Sequence, residues 1–285
     1  MTTAGAGVAG VDAGPQSEQA WRASREFVRV LFIGGYISYR ALFNWLNPWI
    51  FVPTMLGAPA FQILFFAYLG RFSGVKDDAF FVVGNAVQVC CMSSIYGMTM
   101  TIGNERFFGT LSALLASPAN RSALFLGRAL PNIVNGVVVS VFGFAVGALT
   151  LNFHPALSSL PGLAAVLVVT VAAATAFGML LGSAGLRARD VFFIANIAYF
   201  LMLLFTGINV PIDALPGWMQ VVSQFLPLTH GIAAARLVAA GSPFSTVEIL
   251  LLKEALVGFG YAVAAYSLFR YFEAEGRRTG SLERF

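Results

Sequence analysis

The chain has 285 residues, of which 58% are apolar and only 11% are charged, and its mean hydropathy is +0.78. Soluble domains average about 45–50% apolar and about 25% charged residues, so this composition excludes a water-soluble globule, a disordered chain and a disulfide scaffold. The formal net charge of +4 is too small to indicate nucleic acid as a partner. We therefore expect an all-α polytopic membrane protein whose surface contacts membrane lipid.

Stretches without Asp, Glu, Lys or Arg locate the spans, because about 20 apolar residues cross the hydrocarbon layer. One such stretch, residues 129–186, is long enough for two helices, and residues 152–161 within it contain the turn residues of a hairpin. Six transmembrane helices are predicted near residues 49–70, 80–103, 129–150, 160–185, 191–211 and 247–269.

The charge-free stretch 214–235 is treated separately, since Pro216 and Pro227 divide it into pieces too short to cross the bilayer. A re-entrant helical hairpin before the sixth span is the natural alternative, and the excess of basic residues in cytoplasmic loops favours it. With six spans and both termini cytoplasmic, the basic residues on the outer side are Arg71, Lys76, Arg236 and Lys253. A seventh span would move the C-terminal arginines outside.

The regions that flank the spans have different compositions. Residues 1–16 lack the apolar stretch of a secretory signal and are predicted to be a disordered tail. In residues 17–43 basic residues recur at helical spacing with aromatic residues on other positions, which predicts an amphipathic helix at the membrane interface. The alternative is an extension of the first span with a solvated basic face. Residues 44–272 form the six-span domain, and residues 273–285 form a cytoplasmic C-terminal tail.

The sequence offers little material for catalysis. His154 and His230 lie in loops on the predicted outer side, far from Ser183 at the inner end of the fourth span, so a serine protease site is not expected. A phosphate-binding loop requires Gly-Lys-Ser/Thr, and neither Lys76 nor Lys253 follows a glycine. The sequence therefore predicts no enzyme activity, no metal site and no cofactor on this chain.

Charged residues are nearly absent from the predicted spans. The first five contain no acidic residue, which disfavours an ion-driven carrier. An outer charge cluster of Glu248, Lys253 and Glu254 is predicted near the outer end of the sixth span. We expect Glu254 to pair with Arg236 or Lys253 as a structural clamp, with substrate contact as the alternative role.

Residues 104–128, between the second and third predicted spans, lie on the cytoplasmic face in this topology. An apolar stripe at helical spacing is formed by Phe107, Phe108, Leu111, Leu114 and Leu115. Pro118 then ends the predicted helix. A short amphipathic helix at this place is suited to receive force from a partner protein, and a plain structural linker is the alternative.

This stretch closely resembles the permease subunits of type-2 ABC exporters, a family that includes drug-resistance, O-antigen and teichoic-acid exporters. The residues that match the family pattern are Glu105, Gly109, Thr110, Leu111, Leu114, Leu115, Ser117, Pro118, Arg121, Gly127 and Arg128. Ser112 stands where the family has a second glutamate. A second resemblance covers the re-entrant segment 211–241, through Pro211, Leu215, Pro216, Trp218, Pro227, Leu228, Thr229, Arg236 and Gly241.

The resemblance implies a permease in the plasma (inner) membrane that exports its cargo and has no cofactor of its own. Two copies of an ABC ATP-binding subunit, carrying ATP and Mg, would drive a pair of permeases made of identical or related chains. The resemblance assigns partner coupling to Glu105, Arg106, Gly109, Thr110, Leu111, Leu114, Ser117, Pro118 and Arg121.

The cargo is expected to be a hydrophobic or amphipathic small molecule or a lipid, because the chain contains 27 phenylalanines and few polar residues in its spans. A glycan is a further candidate. The alternatives in other classes are a non-transporting structural or sensory membrane protein of the same fold and an ion-driven carrier. Two glycine pairs, Gly143 with Gly147 and Gly178 with Gly182, have a spacing that fits close packing within one subunit as well as a contact between two permeases.

Overall fold

The computed structural model describes residues 24–37, 49, 53–74, 77–101, 121–185 and 190–279. Regular structure in these residues is helical throughout. The helices are α1 (residues 24–37), α2 (Ala58–Ser73), α3 (Asp78–Thr101), α4 (Arg121–Thr150), α5 (Leu160–Gly185), α6 (Val191–Phe205), α7 (Gly217–Ser223), α8 (Thr229–Ala239) and α9 (Glu248–Thr279). A π-helical turn, Pro53–Gly57, precedes α2, and a second π-helical stretch, Met92–Gly97, lies inside α3.

Four helical segments of the described chain are long and apolar enough to cross a membrane. They are Asp78–Thr101, Leu126–Thr150, Leu157–Gly185 and Glu248–Phe272. These segments agree with the second, third, fourth and sixth predicted spans. Long apolar runs without charges therefore give long helices here, as the composition requires.

The helices at the first and fifth predicted spans are shorter. α6 ends at Phe205 rather than near residue 211, because Gly207 adopts a left-handed φ of 76° and the chain leaves the helix. With 15 and 16 residues, α6 and α2 are about 22 and 24 Å long at 1.5 Å per residue. Both values fall below the roughly 30 Å of hydrocarbon. The six-span topology therefore stays a prediction.

The segments outside the long spans differ in part from the predicted boundaries. The segment 211–241 contains two short helices, α7 and α8, joined by a turn that includes Pro227. α9 continues to Thr279, so residues 273–279 of the predicted C-terminal tail are helical. These residues include no proline, and acidic residues precede the two arginines, which suits a helix that extends beyond the membrane.

The N-terminal helix α1 lies within the predicted interfacial segment 17–43 and contacts the start of α4. A Cβ atom on Gly127 would come within 2.8 Å of the Leu31 carbonyl oxygen, so the two helix backbones approach closely. Phe32 and Tyr36 on α1 are largely exposed. α1 therefore presents an aromatic surface while one side lies against the beginning of α4.

Helices α3 and α5 form the centre of the bundle. In the membrane-crossing windows, 82% of α3 is buried, whereas only 17% of α9 is buried. α5 contacts α3, α4, α6, α8 and α9. Large apolar side chains on the outside of α2, including Phe61, Phe65 and Phe72, are exposed and would face lipid or another chain.

Polar side chains in the buried helix α5 satisfy their hydrogen bonds within the helix. The hydroxyl groups of Thr170, Thr175 and Ser183 donate to the carbonyl oxygens four residues earlier, at 2.7, 2.8 and 2.8 Å. Such bonds remove the cost of burying a hydroxyl group. Ser183 thus has a structural partner in its own helix.

Arg71 and Asp78 connect the end of α2 with the start of α3. The Arg71 Nε atom donates to both carboxylate oxygens at 2.7 Å, and Nη2 also contacts Oδ2. These hydrogen bonds raise the pKa of Arg71 above its ordinary value, because the carboxylate favours the charged guanidinium. The ion pair is partly exposed and closes the short connection between the two helices.

The glycines with small-xxx-small spacing contact helices of the same chain. Gly143 and Gly147 lie against α3, where a Cβ atom on Gly147 would come within 2.3 Å of the Val82 side chain. A Cβ atom on Gly178 would lie 2.3 Å from the carbonyl oxygen of Ser94. For these three glycines the structure supports packing within one subunit.

Replacing Gly178 with alanine should destabilise the bundle by about 1–3 kcal/mol, because the clashing atom belongs to the backbone and cannot rotate away. Thermal unfolding of the purified chain in detergent should report a lower melting temperature. The matched control is Gly260→Ala on the exposed side of α9, where no described atom lies within 4 Å of the new Cβ. Equal melting temperatures for the two variants would contradict the close approach of α3 and α5.

Candidate functional site

Arg236 joins three separate parts of the chain. From the last turn of α8, its Nη1 atom donates to the Gly207 carbonyl oxygen at 2.9 Å, and Nη2 donates to the carbonyl oxygens of Ile208 at 2.8 Å and Phe80 at 3.1 Å. The guanidinium carbon lies 3.6 Å from the centre of the Phe80 ring. We call this set of contacts the arginine anchor.

The local sequence explains why the arginine anchor forms. α6 ends at Phe205, so the carbonyl groups of Gly207 and Ile208 receive no helical hydrogen bonds, and the negative end of the helix dipole favours a cation. Gly84 leaves room for it, since a Cβ atom there would lie 2.7 Å from the Arg236 Nη2 atom. The arginine anchor therefore replaces missing backbone hydrogen bonds where α6 stops short.

Glu254 of α9 caps the start of α8 from a fully buried position. Its Oε1 atom accepts a hydrogen bond from the Leu228 backbone N–H at 2.7 Å, and Oε2 accepts one from the Gly231 N–H at 3.0 Å. The first N–H groups of a helix lack internal partners, and a carboxylate at that end is favourable. We call this arrangement the glutamate cap.

The glutamate cap also holds an unusual backbone conformation. Leu228 has a φ of 76°, in the left-handed region that a leucine rarely adopts, and its side chain is fully buried. Such a conformation persists when surrounding contacts determine it. The hydrogen bond from Leu228 to Glu254 is one of those contacts.

The three residues of the predicted outer charge cluster differ in exposure, and the cluster itself stays a prediction. Glu254 is buried, whereas Glu248 and Lys253 are exposed on α9. The predicted clamp is absent among the described contacts, since Arg236 and Glu254 each bind backbone atoms rather than each other. Arg236 instead binds free carbonyl groups just after α6, and Glu254 binds free N–H groups at the start of α8.

The remaining predicted residues of the re-entrant segment lie at element ends or on the surface. Pro211 precedes a 3₁₀ turn, Pro216 precedes α7, and Pro227 lies in the turn before α8. Trp218 is 65% exposed, and its ring meets the Phe205 ring edge to face at 5.9 Å between centres. These residues shape the break between α6 and α8 and form no polar site.

A group of uncharged polar side chains links α2, α3 and α6 inside the bundle. We call it the amide cluster, and it consists of Gln62, Asn85, Gln88, Tyr199 and Asn209. The Gln62 Nε2 atom donates to Asn85 Oδ1 at 3.1 Å and to Gln88 Oε1 at 2.5 Å. The Tyr199 hydroxyl group donates to Gln62 Oε1, and Asn85 Nδ2 donates to Asn209 Oδ1 at 2.8 Å.

Two amide groups of the cluster are less well satisfied. Asn209 Nδ2 is a buried atom without a hydrogen-bond partner in the part of the chain that the structure describes, and the nearest group available to Gln88 Nε2 is the Tyr199 hydroxyl. Gln88 is fully buried, while Gln62, Tyr199 and Asn209 are half-buried. The amide cluster thus reaches from the interior of the bundle to its surface between α2 and α6.

Sequence reasoning missed the amide cluster, because it considered only ionisable residues inside the spans. A signal was present, since Asn85 and Gln88 stand three residues apart in the otherwise apolar stretch 79–92. A second polar group is structural: Asn135 donates to the Ser93 hydroxyl at 2.9 Å, and Ser93 donates to the Asn132 carbonyl at 3.2 Å. It ties α4 to the π-helical stretch of α3.

Most of the predicted partner-coupling residues lie outside the described part of the chain. These are Glu105, Arg106, Gly109, Thr110, Leu111, Leu114, Ser117 and Pro118. Arg121 is the first residue of α4, so the end of the segment continues directly into a long apolar helix.

Comparison with known proteins identifies the family. The ABC-2 type transporter family of membrane proteins matches residues 30–239, which is most of the chain. The chain therefore belongs to the ABC-2 type transporter family and is a multi-pass membrane permease. The matched region includes α8 and Arg236 and ends before α9, which carries Glu254.

Several curated relatives are transport proteins. The probable doxorubicin resistance ABC transporter permease DrrC of Mycobacterium tuberculosis is 26% identical over 218 residues, covering 72% of this chain and 75% of DrrC. The probable multidrug ABC transporter permease YbhR of Escherichia coli is 24% identical over 155 residues, which is 54% of this chain and 42% of YbhR. Nodulation protein J of Rhizobium meliloti is 27% identical over 185 residues, covering 64% and 69% of the two chains.

Proposed function

We propose that this chain is the permease subunit of an ATP-driven exporter that moves a hydrophobic or amphipathic small molecule or a lipid across the plasma (inner) membrane. The observation that supports this proposal is the family match over residues 30–239, combined with four long apolar helices. The drug-resistance and multidrug names of two relatives favour a small amphipathic cargo over a glycan.

The proposed topology has six spans with both termini in the cytoplasm. α2 and α6 are the first and fifth spans, each completed by flanking residues, and α7 and α8 form the re-entrant hairpin of segment 211–241. The arginine anchor supports this arrangement, because it satisfies the carbonyl groups that a break at membrane depth would otherwise expose. Residues 1–16 and the end of the chain are cytoplasmic tails.

In the proposed mechanism, two ABC ATP-binding subunits bind ATP and Mg and close on each other. Their movement displaces the segment from Glu105 to Arg121, and α4 transmits this displacement because it begins at Arg121. A pair of permeases then opens its pathway alternately to the two sides of the membrane. ATP and the cargo must each bind the two states of the transporter with different affinities, because equal affinities would leave the equilibrium between the states unchanged. α1 lies against α4 at Gly127 and braces the same region.

The coupling proposal predicts that Glu105→Ala and Arg121→Ala lower the nucleotide hydrolysis of the complex severalfold and leave the amount of permease in the membrane unchanged. The reason is that each variant removes a charge from the proposed contact with the ATP-binding subunit, whereas membrane insertion depends on the apolar spans. The measurement is hydrolysis by the tagged complex purified in mild detergent. Matched controls are Asp12→Ala and Arg284→Ala, which remove the same charges from the terminal tails.

The same purification tests the function itself. Recovery of an ATP-binding subunit, lost when residues 105–121 are altered, supports the exporter. Recovery of the permease alone across several detergents, without nucleotide hydrolysis, contradicts it and favours a non-transporting or ion-driven protein. Full activity of both alanine variants would refute the coupling assignment alone.

A further inference from the structure

We propose that α1 enters the cytoplasmic leaflet obliquely and binds an anionic phospholipid through Arg25 and Arg29. The C-terminal half of α1 then lies in the hydrocarbon layer, while the two guanidinium groups meet the lipid phosphate. The inference goes beyond the proposed function, because it concerns the lipid around the subunit and not the cargo or the source of energy. It takes only the cytoplasmic side of α1 from the proposed topology. A helix that lies flat in the membrane interface is the alternative.

The exposed residues of α1 change in character along the helix axis. Before residue 30 they are mostly polar or charged, namely Ser24, Arg25, Glu26, Val28 and Arg29. After residue 30 they are all large and apolar or aromatic, with 47–63% exposure, namely Phe32, Ile33, Tyr36 and Ile37. A helix that lies flat in the interface separates its charged and apolar residues around its circumference instead. The pattern of α1 is that of a helix whose two ends lie at different depths.

The two arginines and the two aromatic residues occupy the same side of α1. Arg25 stands seven residues before Phe32, and Arg29 stands seven residues before Tyr36, which is close to two turns of 3.6 residues. Rotation of α1 about its own axis therefore cannot place the rings in hydrocarbon and the guanidinium groups in the headgroup layer. A tilt of the axis does so, because seven residues correspond to about 10 Å along the helix.

The contact between α1 and α4 gives the direction of the tilt. The membrane-crossing segment of α4 begins at Leu126. Next to it, a Cβ atom on Gly127 would lie 2.8 Å from the Leu31 carbonyl oxygen. One turn later in α1, a Cβ atom on Gly35 would lie 3.1 Å from the Gly127 carbonyl oxygen and 3.6 Å from the Leu130 side chain. The later residue of α1 meets a deeper residue of α4, so α1 rises into the membrane toward its C-terminus.

The charge at the shallow end of α1 complements an anionic headgroup. Arg25, Glu26 and Arg29 together carry one net positive charge, and Arg128 follows Gly127 in α4, so this boundary of the membrane is basic. A guanidinium group donates paired hydrogen bonds to phosphate oxygens, while its aliphatic stem lies along apolar surface. The headgroup of phosphatidylcholine also carries a cation that offsets its phosphate, whereas that of phosphatidylglycerol does not. Both arginines of α1 precede the family match, which begins at residue 30.

Native mass spectrometry of the full chain in neutral detergent measures the affinity for the first bound phosphatidylglycerol or phosphatidylcholine. We expect the wild type to prefer phosphatidylglycerol. Arg25→Gln combined with Arg29→Gln should lower that affinity about 25-fold, which corresponds to about 1 kcal/mol for each arginine. Arg29→Gln alone should lower it about fivefold, and this variant guards against a structural role of Arg25.

The matched control is Arg277→Gln combined with Arg278→Gln, which removes two arginines from the end of α9 and should leave the affinity unchanged. A second control uses free glycerol phosphate, which has the same phosphate without acyl chains. It should not displace phosphatidylglycerol at equal concentration, because it gains nothing from the apolar half of α1. Full displacement would show that the arginines bind phosphate without a lipid, and would overturn the inference.

Spin labels measure the tilt in nanodiscs that contain phosphatidylglycerol. Val28, Phe32 and Tyr36 follow one another by one turn on the exposed side of α1, and each is replaced singly with cysteine. The native Cys90 and Cys91 are fully buried, and the wild type treated with the same label corrects for any reaction there. Collisions with O₂ should increase from residue 28 to residue 36, and collisions with a soluble nickel chelate should decrease.

Equal collision rates at the three positions would overturn the tilt. Low rates for both reagents at Phe32 and Tyr36 would show that another chain covers this face, and would overturn the lipid assignment. Equal affinity for the two lipids, or an unchanged affinity in both arginine variants, would do the same. These assays contain no ATP-binding subunit, so their failure leaves the exporter proposal intact. Conversely, failure to recover an ATP-binding subunit does not alter lipid binding or label depth.

Discussion

Replacing Arg236 with methionine is expected to lower the free energy of unfolding of the chain by about 3 kcal/mol. Methionine keeps most of the apolar stem but removes the donors that serve Gly207, Ile208 and Phe80. The carbonyl groups of Gly207 and Ile208 then stay buried without a charged partner, and leaving such groups unsatisfied costs about 1–3 kcal/mol apiece, reduced here by relief from burying the charge.

The effect of Arg236→Met is measured by thermal unfolding of the purified chain in detergent, followed by size-exclusion chromatography. Arg236→Lys should fall between wild type and methionine, since an ammonium group cannot reproduce the planar geometry of a guanidinium. Arg71→Met is the control, because Arg71 is exposed and its ion-pair partner is the partly exposed Asp78. A melting temperature for Arg236→Met equal to that of Arg71→Met would show that the arginine anchor does not hold the bundle together.

Replacing Glu254 with leucine should have an effect of similar size, about 2–4 kcal/mol. Leucine has a comparable volume but leaves the N–H groups of Leu228 and Gly231 buried without acceptors. The left-handed conformation of Leu228 loses one of the contacts that hold it, so the turn before α8 should open more readily. Glu254→Gln retains one acceptor oxygen and should recover part of the loss.

The control for Glu254→Leu is Glu248→Leu, six residues earlier on α9 and exposed to its surroundings. Melting temperatures report the stability difference, and limited proteolysis between α7 and α8 reports whether the turn has opened. Cleavage that increases equally in both variants would argue against the glutamate cap as the support of this turn.

The long helices were predictable because their signal is local. Uninterrupted apolar composition over about 20 residues is enough to place the membrane-crossing parts of α3, α4 and α5 within a few residues. The hairpin between α4 and α5 was likewise visible from its turn residues. These predictions use only residues that are neighbours in the sequence, because the bilayer requires every span to satisfy its own backbone hydrogen bonds as a helix.

The sites were less predictable because their partners are backbone atoms or distant side chains. The sequence shows Arg236 and Glu254 as opposite charges in one region, which suggests a pair, but it does not show that α6 ends at Phe205 and leaves carbonyl groups free. Nor does spacing reveal that positions 62, 88 and 199 meet in one cluster. Helix ends and tertiary contacts decided these arrangements.

The arginine anchor also constrains the order in which the protein is built. Phe80 and Arg236 are 156 residues apart in the chain, so the ring and carbonyl group of Phe80 are synthesised well before the guanidinium that contacts them. At 5–20 residues per second this interval is roughly 8–30 s. During that time α3 can occupy the membrane without the Arg236 contact, and the end of α6 gains its cation once the 28 residues from Ile208 to Arg236 have been made. The final arrangement of the central helices is therefore a late event of biogenesis, completed only after α8 has been made.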